Sequence, residues 1–150
     1  MKIREIVLLI LTIALDQFSK YYVASKVALH ESIEVIKDFF YITHTRNTGA
    51  AWSMLEGFGV VFIILAGCVS AGIIYYLIKD KKLSEWERTA YIFVCGGAIG
   101  NMIDRIINGY VIDFLNFYIF GYDYPVFNIA DSFLVIGVAI LIINVVFNKE

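Results

Sequence analysis

Asp113 and Asp131 are the residues of this 150-residue chain best suited to do chemistry. They fall in the stretch from Gly100 to Asp131, which also holds Asn101, Asp104, Arg105 and Asn128, and all six polar side chains lie in or beside apolar segments that read as membrane spans. Ionisable groups are costly in lipid, so a cluster of them is by default a candidate functional site. Two carboxylates held close cannot both ionise cheaply, so they share a proton and offer a base and an acid at once. One can draw a proton from water while the other protonates a scissile carbonyl oxygen, and the intermediate collapses as the leaving nitrogen is protonated. That is the chemistry of an aspartyl protease dyad. Its titration belongs to the pair rather than to either residue, and it requires no metal and no organic cofactor.

Other chemistries lack their parts. His30 and His44 lie in one polar loop, no H-E-x-x-H occurs, and Cys68 and Cys95 form no C-x-x-C pair, so neither a metal site nor a disulfide framework is expected. Both cysteines sit in apolar runs and are expected to be buried, unreactive thiols. With 12 Lys plus Arg against 14 Asp plus Glu, the chain has no basic surplus for a nucleic acid partner.

The elements that must position the pair are membrane helices. Hydrophobic residues make up 60% of the chain and mean hydropathy is +0.76, more apolar than a soluble domain of this size. The expected fold is a mainly α membrane protein: four transmembrane helices at about 3–23, 60–78, 89–107 and 128–147, in one domain over 1–150. Each is long enough to cross a hydrocarbon core of about 30 Å at about 1.5 Å per residue. The first apolar run follows Lys2 and Arg4 as a signal peptide would, but three more spans follow it.

In the first span Asp16 and Lys20 are four apart on one face, where they can neutralise each other near the membrane boundary. In the third, Asn101, Asp104, Arg105 and Asn108 form one polar stripe, with Asp104 expected to pair structurally with Arg105. Gly96, Gly97 and Gly100 allow close helix approach. Asn128, Asp131 and Ser132 share a face of the fourth span's first turns, which sets Asp131 at a depth similar to Asp113.

Between the first two spans, residues 24–59 are expected to form a small β-containing extracytoplasmic subdomain. Phe39 to Thr45 reads as a strand, and Arg46-Asn47-Thr48-Gly49, with Asn47 and Gly49 as turn formers, precedes Ala50 to Met54. Between the third and fourth spans, Phe114, Phe117, Tyr118, Phe120, Tyr122 and Tyr124 suit an interfacial loop or short helix. Lys79, Lys81, Lys82 and Arg88 mark a cytoplasmic loop, and with Lys2, Arg4 and Lys149 they place both termini inside and the carboxylate pair outside.

Five motifs occur in order along the chain: Asp16-Gln17 with Lys20, Arg46-Asn47-Thr48-Gly49-Ala50-Ala51, Gly100-Asn101-Met102-Ile103-Asp104-Arg105, Gly109-Tyr110-Val111-Ile112-Asp113-Phe114, and Phe127-Asn128-Ile129-Ala130-Asp131-Ser132. Together they resemble the lipoprotein signal peptidases, the type II signal peptidases of bacteria. The departures, Trp52 where Phe is common and the apolar Met102 and Ile103, keep their apolar character.

The resemblance implies a bacterial cytoplasmic-membrane aspartyl endopeptidase. It would remove the signal peptide from diacylglyceryl-modified prolipoproteins, cutting just before the lipidated cysteine, with membrane lipid as its surroundings; the working form expected for this chain is a monomer. It assigns Asp113 and Asp131 as the catalytic pair. Asn47, Asn101, Arg105 and Asn128 would hold the substrate backbone or support the site, and Asp16 and Lys20 match its first-span motif. The rival readings are a small proton or ion relay using Asp104, Arg105, Asp113 and Asp131, and a non-enzymatic lipid-binding scaffold. Against the relay, the chain shows no internal repeat and has few spans for a transporter.

Overall fold

The computed structural model of the protein describes residues 1–49 and 57–147. Eight elements follow in order: α1 (Ile3–Lys26), β1 (Ser32–Ile36), β2 (Phe40–Asn47), α2 (Gly59–Lys79), α3 (Glu85–Asn108), β3 (Val111–Ile119), β4 (Tyr122–Asp123) and α4 (Ile129–Phe147). All four helices are long and apolar enough to cross a membrane. Residues Ala50 to Met54, expected beyond the turn after β2, lie outside the described residues, as does Lys149.

Helix α3 is the centre of the bundle, because glycines bring its neighbours to backbone range. A Cβ on Gly96 would meet Thr12 of α1 at 2.6 Å, and one on Gly97 would meet Leu134 of α4 at 2.8 Å. From the other side, a Cβ on Gly137 of α4 would lie 2.7 Å from the Ala90 carbonyl of α3. Small residues do this work in membranes because lipid gives apolar side chains no reason to prefer each other. The outward faces keep Ile10, Leu11, Val60, Ile64, Val135 and Ile142 exposed, as lipid-facing surfaces should.

Helix α3 starts earlier than its apolar run. Ser84 and Glu87 form a capping box, with the Glu87 N–H donating to Ser84 Oγ at 3.2 Å and the Ser84 N–H to Glu87 Oε2 at 2.7 Å. Arg88, read from the sequence as loop, is therefore helical and buried. The helix ends at Gly109, whose φ of 81° is the left-handed turn that lets the chain reverse straight into β3.

The strands form one antiparallel sheet in the order β1-β2-β3-β4. The segment between the third and fourth spans is thus β3 and β4 rather than an interfacial loop or short helix. Its aromatic and β-branched run pairs with β2 in the register Phe40 to Phe117, Thr45 to Asp113 and Asn47 to Val111. Phe117 stacks on Phe40 with centroids 4.6 Å apart and on Phe127 at 5.8 Å, while Phe120 stands fully exposed at the β3–β4 turn. The sheet closes on the ends of α1 and α4 through Val23, Val27 and Phe114, with Ile42, Ile112, Leu115 and Ile129 packed around them. Of the two cysteines, Cys95 is buried against α2 as expected, but Cys68 is exposed on the outer face of that helix.

Candidate active site

Strand β3 and the start of α4 deliver the two carboxylates to one place. Asp113 is fixed in β3 by the pairing with Thr45, whose hydroxyl also donates to the Asp113 carbonyl at 3.1 Å. The chain then returns beside β3, where the Phe114 and Leu115 N–H groups donate to the Phe127 carbonyl at 2.9 and 2.7 Å and the Phe127 N–H to the Leu115 carbonyl at 3.1 Å. This ladder sets Asn128 next to Asp113 and starts α4 there.

Asn128, fully buried, joins the pair. Its Nδ2 donates to Asp113 Oδ1 at 2.7 Å, while its Oδ1 accepts the Asp131 N–H at 2.9 Å and its own N–H donates to Asp131 Oδ2 at 3.2 Å. One side chain therefore binds one carboxylate and caps the helix that carries the other. Asn47 Nδ2 donates to Asp113 Oδ2 at 3.0 Å, and Asn101 Nδ2 donates to Asp131 Oδ1 at 2.7 Å.

The orientation of each amide is set by chemistry. Asn47 Oδ1 accepts the Gly49 N–H at 2.9 Å, and Asn128 Oδ1 accepts the Asp131 N–H. Asn101 Oδ1 accepts the Lys20 ammonium at 2.9 Å and Asn128 Nδ2 at 3.1 Å. A backbone N–H and an ammonium only donate, so in all three cases the amide oxygen must face them and the NH₂ must face the carboxylates.

Behind the pair lies a second buried layer. Lys20 Nζ contacts Asp16 Oδ2 at 2.8 Å and Asp104 Oδ2 at 3.1 Å, with all three side chains 3% exposed or less. The Asp16–Lys20 pair forms as the spacing suggested, and it is buried inside the bundle. Asp104 pairs with Lys20 and not with Arg105, because consecutive helical side chains point about 100° apart. Asp16 Oδ1 accepts the Ala130 N–H at 2.9 Å, tying α1 to the first turn of α4, and Asp104 Oδ2 accepts the Ile112 N–H at 3.1 Å, tying α3 to β3. Gln17, quoted above only as part of a motif, donates to Asp16, Asp104 and the Gly100 carbonyl. Asn108, counted in the polar stripe, is exposed at the helix end and takes no part.

A cavity of about 560 Å³ opens in front of the pair. Asn47, Gly49, Asn101, Arg105, Asp113 and Asp131 form its polar end, and Val126 and Phe127, with Leu134, Val135 and Ile136 of α4, its apolar end. Arg105 Nη2 donates to the Gly49 carbonyl at 2.8 Å, and its guanidinium lies 4.9 Å from the ring of Phe62 on α2. Phe62 was not singled out in the sequence, because an apolar residue in an apolar span carries no distinguishing signal.

Asp113 is 3% exposed. Burial first, and the charge of Asp131 second, push its carboxyl up to about 7, against the donors of Asn47 and Asn128. A carboxyl poised there can hold a proton or release it near neutral pH.

Known proteins match this chain over most of its length. The family described as signal peptidase (SPase) II matches residues 8–147. Proteins named lipoprotein signal peptidase are similar to it: one from Halalkalibacterium halodurans is 45% identical over 134 residues, covering 89% of this chain and 86% of that one. One from Enterococcus faecalis is 45% identical over 140 residues, covering 93% and 86%, and one from Staphylococcus aureus 42% identical over 139 residues, covering 93% and 85%. A solved bacterial membrane enzyme superposes with a TM-score of 0.90 at 39% identity, covering 98% of this chain and 92% of that one.

Proposed function

Because the chain belongs to the signal peptidase II family, a family of bacterial membrane proteases, we propose that Asp113 and Asp131 are its catalytic pair and that it cleaves signal peptides from diacylglyceryl-modified prolipoproteins just before the lipidated cysteine. The observation that carries the proposal is Asn128, which binds Asp113 and caps the helix bearing Asp131, so that a buried and a half-buried carboxylate meet at the polar end of one cavity. In the reaction one carboxylate takes a proton from water as the water oxygen attacks the scissile carbonyl. The other protonates the carbonyl oxygen, and the leaving nitrogen is protonated as the C–N bond breaks. This route calls for no metal or organic cofactor. Asn47, Asn101 and Asn128 hold the carboxylates, and Arg105 and Gly49 at the cavity wall offer polar contacts to a substrate backbone. Asp16, Lys20 and Asp104 support the site from behind.

The cavity's apolar side runs along α4, where Val135 and Ile136 are exposed to lipid, which suits a substrate whose signal helix and acyl chains stay in the membrane. The N-terminus and the α2–α3 loop share one end of the bundle, since Lys2 Nζ donates to Glu85, and that end carries Lys79, Lys81 and Lys82. The positive charge there supports a cytoplasmic N-terminus and loop, and with an even number of spans a cytoplasmic C-terminus and an extracytoplasmic site in the bacterial cytoplasmic membrane. A monomer is the proposed working form, and the net charge of -2 supports no nucleic acid partner.

The test is to incubate purified protein in detergent, with a metal chelator, with a prolipoprotein carrying or lacking the diacylglyceryl group. Mass spectrometry is expected to find a single cut before the cysteine of the lipidated substrate and none in the other. An ion flux in sealed vesicles with no cleavage would favour the relay instead.

A further inference from the structure

The three amides that hold the carboxylate pair are locked in different ways. Asn47 and Asn128 are held by backbone N–H groups, which no substitution short of proline removes, whereas Asn101 is held by the side chain of Lys20. Lys20 has three N–H donors and three acceptors, Asp16 Oδ2, Asp104 Oδ2 and Asn101 Oδ1, and is 2% exposed, so it is fully committed inside the bundle. Asn128 Nδ2 also donates to Asn101 Oδ1, yet at 3.1 Å and while bonded to Asp113 at 2.7 Å it is the weaker lock.

Resting on the reading of Asp113 and Asp131 as the catalytic pair, the geometry points to Lys20 as a positioning residue: it fixes the polarity of Asn101, keeps the Asn101 NH₂ on Asp131, and so makes Asp131 the base and Asp113 the acid. With the amide turned over, Asn101 would present its oxygen to Asp131, which only a protonated Asp131 could meet. The surroundings add to the asymmetry. Asp131 lies in the first turn of α4, where the helix end favours an anion, and accepts the Asn128 N–H. Asp113 sits on a strand, almost wholly buried. Among the described residues, the charged groups around Asp131 are Lys20 from α1, Arg105 from α3 and Asp113 from β3, with Asp16 and Asp104 behind them on Lys20.

The protons then balance. The Asp131 carboxylate takes a proton from water as the water oxygen bonds to the carbonyl carbon, and the Asp113 carboxyl gives its proton to the carbonyl oxygen. On collapse Asp131 returns its proton to the leaving nitrogen, the C–N bond breaks, and one hydroxyl of the intermediate gives a proton back to Asp113. The pair ends as it began.

The test is the pH profile of kcat/KM for cleavage of the lipidated precursor by wild type, Lys20→Met, and Lys20→Met/Asp104→Asn, the last keeping the buried charges balanced where the single change does not fold. Lys20→Met alone also removes a cation that acts on both carboxylates, so the charge-balanced double variant decides: its acid limb, set by the base, is expected to move up by about one pH unit while the basic limb stays. Asn101→Ala is expected to give the same shift, and adding the charge-balanced Lys20 and Asp104 changes to it no more. An unmoved acid limb in Asn101→Ala or the charge-balanced variant, both limbs of either moving together, or a second shift from the charge-balanced changes on the Asn101→Ala background would overturn the proposal. Wild type that leaves the lipidated precursor uncut would overturn the protease reading instead.

Discussion

The two ends of the α1–α3 interface both bury charge, and they use it differently. At the end near the N-terminus, Arg88 donates to Glu5 Oε1 at 3.1 Å and to the Leu77 carbonyl at 3.2 Å, and also to the Asp80 carbonyl, so one cation and one anion close off the end of α2. At the other end, Asp16, Asp104, Asp113 and Asp131 stand against Lys20 and Arg105, and the surplus carboxylates face a cavity. Glu5 and Arg88 are nearly as buried as Lys20 and also border a cavity, of about 570 Å³, but there one cation and one anion neutralise each other. Burial of charge in a membrane helix therefore does not by itself mark a reaction site. An excess of one sign, turned toward a cavity, does.

That contrast can be broken by substitution. The largest effect on stability is expected from Arg88→Met, which leaves Glu5 buried without its cation and should cost about 3–5 kcal/mol. Thermal unfolding in detergent is expected to show the loss, while turnover per folded molecule stays at the wild-type value. A drop in turnover would mean that the two ends are coupled.

Next comes Asp113, whose effect on stability has the opposite sign. Its carboxyl titrates near 7 in the folded protein, above its ordinary value of 3.8. The folded state thus keeps a proton that the unfolded chain has given up, and the stability this gives is complete below about pH 4 and lost as pH rises through 7. Asp113→Asn cannot lose it. The variant is expected to unfold at higher temperature than wild type at pH 8, with the gap closing toward pH 4, and wild-type cleavage is expected to fall above about pH 7.

Gly100→Ala joins stability to function. The added Cβ would lie 2.6 Å from Asp16 Oδ2, forcing aside the carboxylate that binds Lys20 and the Ala130 N–H. Overpacking of this kind costs about 1–3 kcal/mol, and activity is expected to fall with it. The smallest effect is expected from Ser84→Ala, which removes the cap of α3 at the far end, costs about 1 kcal/mol and leaves turnover unchanged.

The sequence showed the helices and the pair more readily than the connections between them. Long apolar runs report themselves, and Asp113 and Asp131 stand out because few residues around them are polar. The partner of Asp104 did not, since Arg105 is adjacent in the chain while Lys20 comes from another helix 3.1 Å away. Strand β3 was hidden for a related reason: Phe114, Phe117 and Tyr118 suit the membrane surface as well as a strand, and only the pairing with β2 decides. Glu5 with Arg88 was missed because each sits at the edge of a basic stretch, where a charge carries no distinguishing signal. Cys68 shows the limit of reading burial from hydropathy, because in a membrane helix an apolar neighbourhood is as often lipid as protein.

The most direct test of the central claim compares Asp113→Asn and Asp131→Asn with wild type for cleavage of the lipidated precursor, each shown to be folded by its unfolding transition. Both variants are expected to fold and to lose cleavage by a factor of about 10³ or more, since neither remaining carboxyl can act as base and acid together. A folded variant of either kind that still cuts before the lipidated cysteine at near the wild-type rate would contradict that claim.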